Sequence, residues 1–195
     1  MEGVFFFYDS GVEPLHILGI AGSLRRESYN RALLRAAAAG APAGMRIEEF
    51  DLAAIPLYNS DDEPSPAPAA SEFRRRVREA DAVLMATPEY NYAPSGVLKN
   101  AIDWASQPYG QNAWDAKPVA IMGASISSLG TARAQYQLRQ TLTALNCYTL
   151  NQPEILVGCA AEKFNAAGYL TDPETHLALA QMLAAFASWI RRVGP

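Results

Sequence analysis

Three short stretches concentrate the side chains that could do chemistry. The first, Gly22-Ser23-Leu24-Arg25-Arg26-Glu27-Ser28-Tyr29-Asn30, joins an apolar run to a helical pattern. A helix start exposes unpaired N–H groups and a partial positive charge, so it suits an anion. Ser23, Ser28 and Asn30 add neutral donors, and Arg25 adds a charged fork. A plainer reading makes Ser28 a simple helix cap with Arg25 and Arg26 solvated, but three donors and an arginine exceed what a cap requires. The segment lacks G-x-x-x-x-G-K-[ST], which excludes a nucleoside-triphosphate loop here. Gly19 and Gly22 do not complete G-x-G-x-x-G, so Glu49 and Asp51, placed where a ribose-binding acid would sit, are a weak signal. A terminal phosphate fits better than a bridging one.

The second stretch is Thr87-Pro88-Glu89-Tyr90-Asn91-Tyr92-Ala93-Pro94-Ser95-Gly96. Two prolines stiffen it and Gly96 admits another backbone. A stiff loop can present N–H groups to the polar edge of a flat heterocycle, with Tyr90 and Tyr92 as aromatic surface beside it. The plainer reading is a structural turn with exposed tyrosines. The third stretch, Gly123-Ala124-Ser125-Ile126-Ser127-Ser128-Leu129-Gly130, has small residues that let a ring approach the main chain. By itself it is barely more than a loop. A singly attached phosphate combined with a flat ring describes flavin mononucleotide (FMN).

Each stretch must follow a strand. Apolar runs of strand length occur at 15–20, 82–87 and 118–123, with a broken one over 148–157. They are apolar on both faces, as parallel strands covered on both sides should be. Residues 46–50 are polar enough for an edge strand. Helical patterns fill 28–40, 69–80, 95–106, 130–145 and 173–191. In the last, Leu179, Met182, Leu183, Phe186 and Ile190 share one face, and Thr171-Asp172-Pro173-Glu174 supplies its start. Five strands alternating with five helices make a doubly wound three-layer α/β sandwich, whose ligands bind beyond the carboxyl ends of its strands. The Pro-, Ser- and Asp-rich stretch 56–68 reads as a surface loop, and residues 1–13 as an N-terminal extension before a single domain over 14–195.

Composition narrows the partners. With 195 residues, 18% charged and a net charge of −4, the chain lacks the dense basic run expected of a nucleic-acid or anionic-membrane surface. Arg74-Arg75-Arg76 lies among Glu72 and Glu79 and reads as a solvated helix face. No run reaches the roughly 18 apolar residues of a membrane span. Val4-Phe5-Phe6-Phe7-Tyr8 lacks the basic leader of a signal peptide. Cys147 and Cys159 have no neighbouring His to act as base, so they read as apolar thiols in a reducing cytoplasm. His16, within the first strand, and His176, in the last helix, read as structural.

Taken together, the motifs resemble the NADPH-dependent FMN reductase family of flavodoxin-like quinone, azo-dye and chromate reductases. The residues that carry the resemblance are Gly22-Ser23-Leu24-Arg25 with Ser28 and Asn30, then Pro88-Glu89-Tyr90-Asn91 running into Gly96-Val97-Leu98-Lys99-Asn100-Ala101-Ile102-Asp103-Trp104. A further match is 132–140. The resemblance implies a five-stranded parallel sheet in the order 2-1-3-4-5 and an enzyme taking electrons from NADPH or NADH through bound FMN. The acceptor would be small: a quinone, azo compound, free flavin or oxidised metal anion. It implies that Ser23, Arg25, Ser28, Tyr29 and Asn30 surround the FMN phosphate, with Pro88, Glu89, Tyr90 and Asn91 along the isoalloxazine and Ser125 near the ring or ribityl chain. No side chain is nominated as acid, base or nucleophile. Relatives assemble as homodimers or homotetramers; Asp103, Trp104 and Arg133 could serve such a contact, or equally an internal salt bridge and core packing. Two other classes fit the same sheet: an electron carrier acting through a protein partner, and a flavin-free binding domain. Turnover of NADPH without a partner protein discounts the first, and uptake of FMN discounts the second.

Overall fold

The computed structural model describes residues 14–194, so the extension expected over 1–13 lies outside the described residues. Strands β1 (Leu15–Ala21), β2 (Met45–Phe50), β3 (Ala82–Ala86), β4 (Pro118–Ala124), β5 (Tyr148–Thr149) and β6 (Ile155–Val157) form one parallel sheet. Its order is β2-β1-β3-β4-β5, with β6 also on β4. The helices are α1 (Tyr29–Ala39), α2 (Pro68–Glu79), α3 (Gly96–Ser106), α4 (Ala132–Ala144), α5 (Ala160–Lys163) and α6 (Pro173–Val193).

The two-residue period of the strands sorts the core into halves. Ile17, Leu84, Ala86, Ala120 and Met122 face Leu33, Leu34 and Ala37 of α1 and Leu179, Met182, Leu183 and Phe186 of α6. The alternate residues Leu18, Ile20, Val83, Met85, Val119 and Ile121 face Phe73 and Val77 of α2, Leu98 and Ile102 of α3 and Leu138 and Leu142 of α4. Burying each such large side chain is worth about 1.5–3 kcal/mol, so both helical layers are held to the sheet chiefly by this contact. No helix of the described residues is long and apolar enough to cross a membrane.

The last strand differs from the sequence expectation. The run 148–157, expected as a single broken strand, is two, which makes six strands rather than five. Tyr148 and Thr149 pair with Pro118 and Val119, and Ile155 to Val157 pair with Met122 to Ala124. Between them the chain leaves the β4 edge, where Pro153 has no N–H to give to the ladder. Helix α4 holds the excursion from outside: Gln135 Nε2 donates to the Ile155 carbonyl (2.9 Å) and Arg139 Nη1 to that of Leu150 (3.0 Å). The short α5 was not expected either.

Candidate cofactor site

Strands β1, β3 and β4 end side by side, and the three motif-bearing loops leave from these ends. The ladder persists one step further. Gly22 donates to Ala86 O, Thr87 to Met122 O and Ser125 to Val157 O, each at 2.9 Å. Gly22 is where the first two loops meet: a Cβ there would lie 2.9 Å from Ser95 Oγ and 3.0 Å from Pro88 Cδ. Gly123 plays the same part between the second and third loops, since a Cβ would fall 2.0 Å from Thr131 Oγ1 and 2.4 Å from Thr87 O.

In the first loop Ser28 caps α1, accepting from Arg31 N at 3.3 Å, and the buried Ser23 accepts from Arg25 N at 3.4 Å. Both hydroxyls act there as acceptors, which leaves each its O–H to donate. The first-turn amides of Tyr29 and Asn30 have no acceptor among the described residues. Arg25 is exposed; its guanidinium donates to the Glu27 carbonyl and lies 5.5 Å from the centre of the Tyr29 ring. Asn30 is buried and does something the sequence did not suggest. Its Oδ1 accepts from Ala124 N and its Nδ2 donates to Ala124 O, both at 2.9 Å. It is a strut tying the start of α1 to the end of β4.

The second loop folds into a tight hairpin in which Tyr90 and Ala93 exchange both backbone bonds at 3.0 Å. Asn91 (φ 50°) and Tyr92 (φ 69°) form its left-handed tip, a conformation asparagine tolerates better than most residues. Helix α4 clamps this hairpin. The Glu89 side chain is only 5% exposed; its carboxylate accepts from the Arg133 guanidinium (Nε at 2.6 Å) and from the amides of Arg133 and Ala134 (3.1 and 3.2 Å). A carboxylate at a helix N-terminus is favoured by the helix dipole as well. Arg133 also stacks 3.7 Å from the centre of the Tyr92 ring, and Gln137 Nε2 donates to Tyr92 O at 2.8 Å. The amides of Glu89 and Asn91 have no acceptor among the described residues.

The third loop is folded upon itself. Ser125 Oγ accepts from Ser127 N (3.2 Å), while Cys159 N and Ala160 N donate to the Ser127 and Ser125 carbonyls. Gly158 packs against it so closely that a Cβ would lie 2.4 Å from Ser128 O. Ile126 and Leu129 remain exposed.

Between the three loops lies a cavity of about 280 Å³, lined by Ser23, Arg25, Ser28, Tyr29, Asn30, Pro88, Glu89, Tyr90 and Ser125, with Ala124 and Ile126. Every residue nominated from the sequence is on that lining except Asn91, whose place is the hairpin tip. Asp103, Trp104 and Arg133 each have a partner within this chain. Asp103 pairs with Lys99 (2.8 Å), the buried Trp104 donates to Pro56 O (2.9 Å), and Arg133 holds Glu89. Sequence reasoning missed the clamp from Gln137 and the strut to Ala124. Both join residues more than 40 positions apart, and neither has a local spacing signal.

Residues 15–162 match the model of the family described as NADPH-dependent FMN reductase. The chain belongs to the NADPH-dependent FMN reductase family. An NAD(P)H-dependent FMN reductase of Pseudomonas aeruginosa is 50% identical over 182 residues, covering 93% of this chain and 98% of the relative. A 2-hydroxy-1,4-benzoquinone reductase of a Burkholderia species is 38% identical over 177 residues, covering 91% and 97%. Among solved structures, the flavoenzyme NAD(P)H:(acceptor) oxidoreductase FerB of Paracoccus denitrificans superposes with a TM-score of 0.86 at 34% identity, covering 93% of this chain and all of that one.

The donor set of this family member suits a flavin monophosphate. Two hydroxyl donors and two free first-turn amides line or adjoin one end of the cavity, and the lining carboxylate, Glu89, is already matched by Arg133. Glu89, whose amide is free, and the aromatic Tyr90 also line the cavity, and the free amide of Asn91 lies at the neighbouring hairpin tip.

Proposed function

We propose that this protein is an FMN-dependent NAD(P)H oxidoreductase that passes electrons to a small acceptor of the quinone class. The observation that carries the proposal is the convergence of three strand-end loops, drawn from residues 22–130, on one cavity lined by Ser23, Ser28 and the start of α1 together with Pro88, Glu89 and Tyr90. When bound, FMN supplies the redox chemistry, taking hydride from the reduced nicotinamide and returning electrons to the second substrate.

The protein's part is binding, orientation and electrostatics. The Ser23 and Ser28 hydroxyls and the amides of Tyr29 and Asn30 hold the phosphate, and Arg25 turns from the Glu27 carbonyl to supply a charged fork. Pro88, Glu89, Tyr90 and Asn91 frame the ring, the free amides of Glu89 and Asn91 facing negative charge that develops there. Ser125 lies near the ring or ribityl chain, and Asn30 keeps the first and third loops in register. No side chain is required as acid, base or nucleophile.

The quinone class is supported by the relatives at 38–41% identity named quinone reductases. A homodimer or homotetramer is the proposed assembly, supported by the exposed apolar side chains Tyr90 and Ile126 on the cavity lining and Tyr92 and Leu129 on the same loops, each more than half exposed. A reducing cytoplasmic setting is supported by two free thiols, Cys147 and Cys159. The test is the visible spectrum of the purified protein, with NADPH added under nitrogen. A flavin spectrum that bleaches and returns on adding a quinone is expected. A protein that stays colourless with added FMN overturns the proposal.

A further inference from the structure

Two charged side chains line the cofactor cavity: Arg25, beside the serines that suit the phosphate, and Glu89, in the loop that frames the ring. Glu89 is the single acid among the described lining residues. Its charge works against the reaction. A hydride from NAD(P)H brings two electrons and one proton, so the departing NAD(P)+ leaves the ring one negative charge richer. A carboxylate in the wall opposes that gain, and a buried one is poorly screened by salt and water. The Glu89 side chain is only 5% exposed.

The acid is compensated from behind the wall. Arg133 is not itself on the lining, yet its Nε donates to Glu89 Oε1 at 2.6 Å from the first turn of α4. The amides of Arg133 and Ala134 donate to Glu89 Oε2 at 3.1 and 3.2 Å. Those amides already satisfy the carboxylate as an acceptor, and Gln137 Nε2 on Tyr92 O already ties the hairpin to α4. The guanidinium adds one thing that neither supplies, a full positive charge. With it, Glu89 and Arg133 meet the cavity as a neutral pair.

We propose that Arg133 is a positioning residue that sets the reduction potential of the bound flavin by cancelling the charge of Glu89. The inference rests on the reductase reading and goes beyond it: charge balance at this pair, and not only the fit of the cavity, decides how readily FMN accepts electrons. Burial decides the magnitude. Unit charges about 10 Å apart, at an effective dielectric of about 20, shift an equilibrium about tenfold. For a two-electron couple, tenfold corresponds to about 30 mV. Removing the acid instead has a smaller effect of opposite sign. Glu89→Gln frees a guanidinium that is 35% exposed and screened by water, so a rise of only about two- to threefold is expected.

The test is the potential of the FMN-loaded protein, read by equilibration with a reference dye, beside fluorescence titration with oxidised FMN. Arg133→Gln is expected to lower the potential by about 30 mV, a tenfold loss of affinity for reduced relative to oxidised FMN. Arg133→Lys keeps the charge without the planar fork or its stack on Tyr92, and is expected to hold the parent ratio. In Glu89→Gln/Arg133→Gln both charges are gone and the parent ratio returns. A clamp that acts only by shape behaves differently: Lys fails along with Gln, the double variant is worst, and oxidised and reduced FMN weaken alike. An unchanged ratio in Arg133→Gln, or an equal fall in Arg133→Lys, overturns the inference. Should Arg133→Gln not fold, Glu89→Gln decides, and a ratio that does not rise overturns it. A parent that binds no FMN rejects the reductase reading instead, whereas tight FMN with an unmoved potential rejects the role of Arg133 alone.

Discussion

Replacing Asn30 by alanine separates a structural strut from a direct ligand. The carboxamide satisfies both backbone groups of Ala124, each bond 2.9 Å long, between residues 94 positions apart. Asn30 is 4% exposed and Ala124 3%, so neither released group regains water freely. An orphaned buried donor or acceptor costs about 1–3 kcal/mol, which puts Asn30→Ala at about 2–6 kcal/mol for the pair. The neighbouring cavity admits water, and this favours the lower half of that range. Urea denaturation of the FMN-free protein reads this directly, as a fall in midpoint at unchanged slope. The carboxamide joins the start of α1 to the end of β4, from which the third loop leaves, so FMN affinity is expected to fall when it is removed. Asn30→Asp retains the acceptor, loses the donor and adds a carboxylate, and is expected to be at least as destabilising. An Asn30→Ala protein as stable as the parent, but with weakened FMN binding, would refute the strut and make Asn30 a simple phosphate ligand.

Other outcomes follow from the same geometry. Arg25→Ala should weaken FMN about ten- to a hundredfold by fluorescence titration, with little loss of stability, because the side chain is exposed and makes only local contacts. Arg133→Ala leaves Glu89 its two amide donors but removes the guanidinium and the stack on Tyr92. Since the Arg133 side chain is 35% exposed, the loss in urea is expected to be modest, about 1–2 kcal/mol, with the larger effect on the flavin spectrum as the hairpin loosens. Burial pushes the Cys147 thiol up to about 12, so it should resist iodoacetamide at pH 8; labelling at the rate of a free thiol would contradict this. Because its folded value exceeds the unfolded one of about 8.5, its contribution to stability is complete below that pH and is lost as pH rises towards 12. Cys147→Ala should accordingly flatten the alkaline decline in urea midpoint.

The elements legible in the sequence were those with strong local signals. Double-sided apolar runs marked β1, β3 and β4, and a cap followed by Pro173 marked the start of α6. The cavity lining was legible because its residues cluster in strand-to-helix turns, where topology alone brings them together. The break between β5 and β6 was hidden because an apolar run with one proline reads alike whether the chain pairs throughout or loops out. Asn30 and Glu89 were nominated from the sequence, but the tertiary contacts they make were not. A buried amide bonded to a distant backbone, and a carboxylate capping a helix 44 residues on, depend on tertiary distances that no local spacing encodes.

The central claim is most directly tested by a crystal structure of the protein with FMN. The phosphate is expected on the Ser23 and Ser28 hydroxyls and the first-turn amides of α1, with the ring along Pro88 to Asn91. A flavin bound elsewhere, or with its phosphate away from the start of α1, would contradict the account.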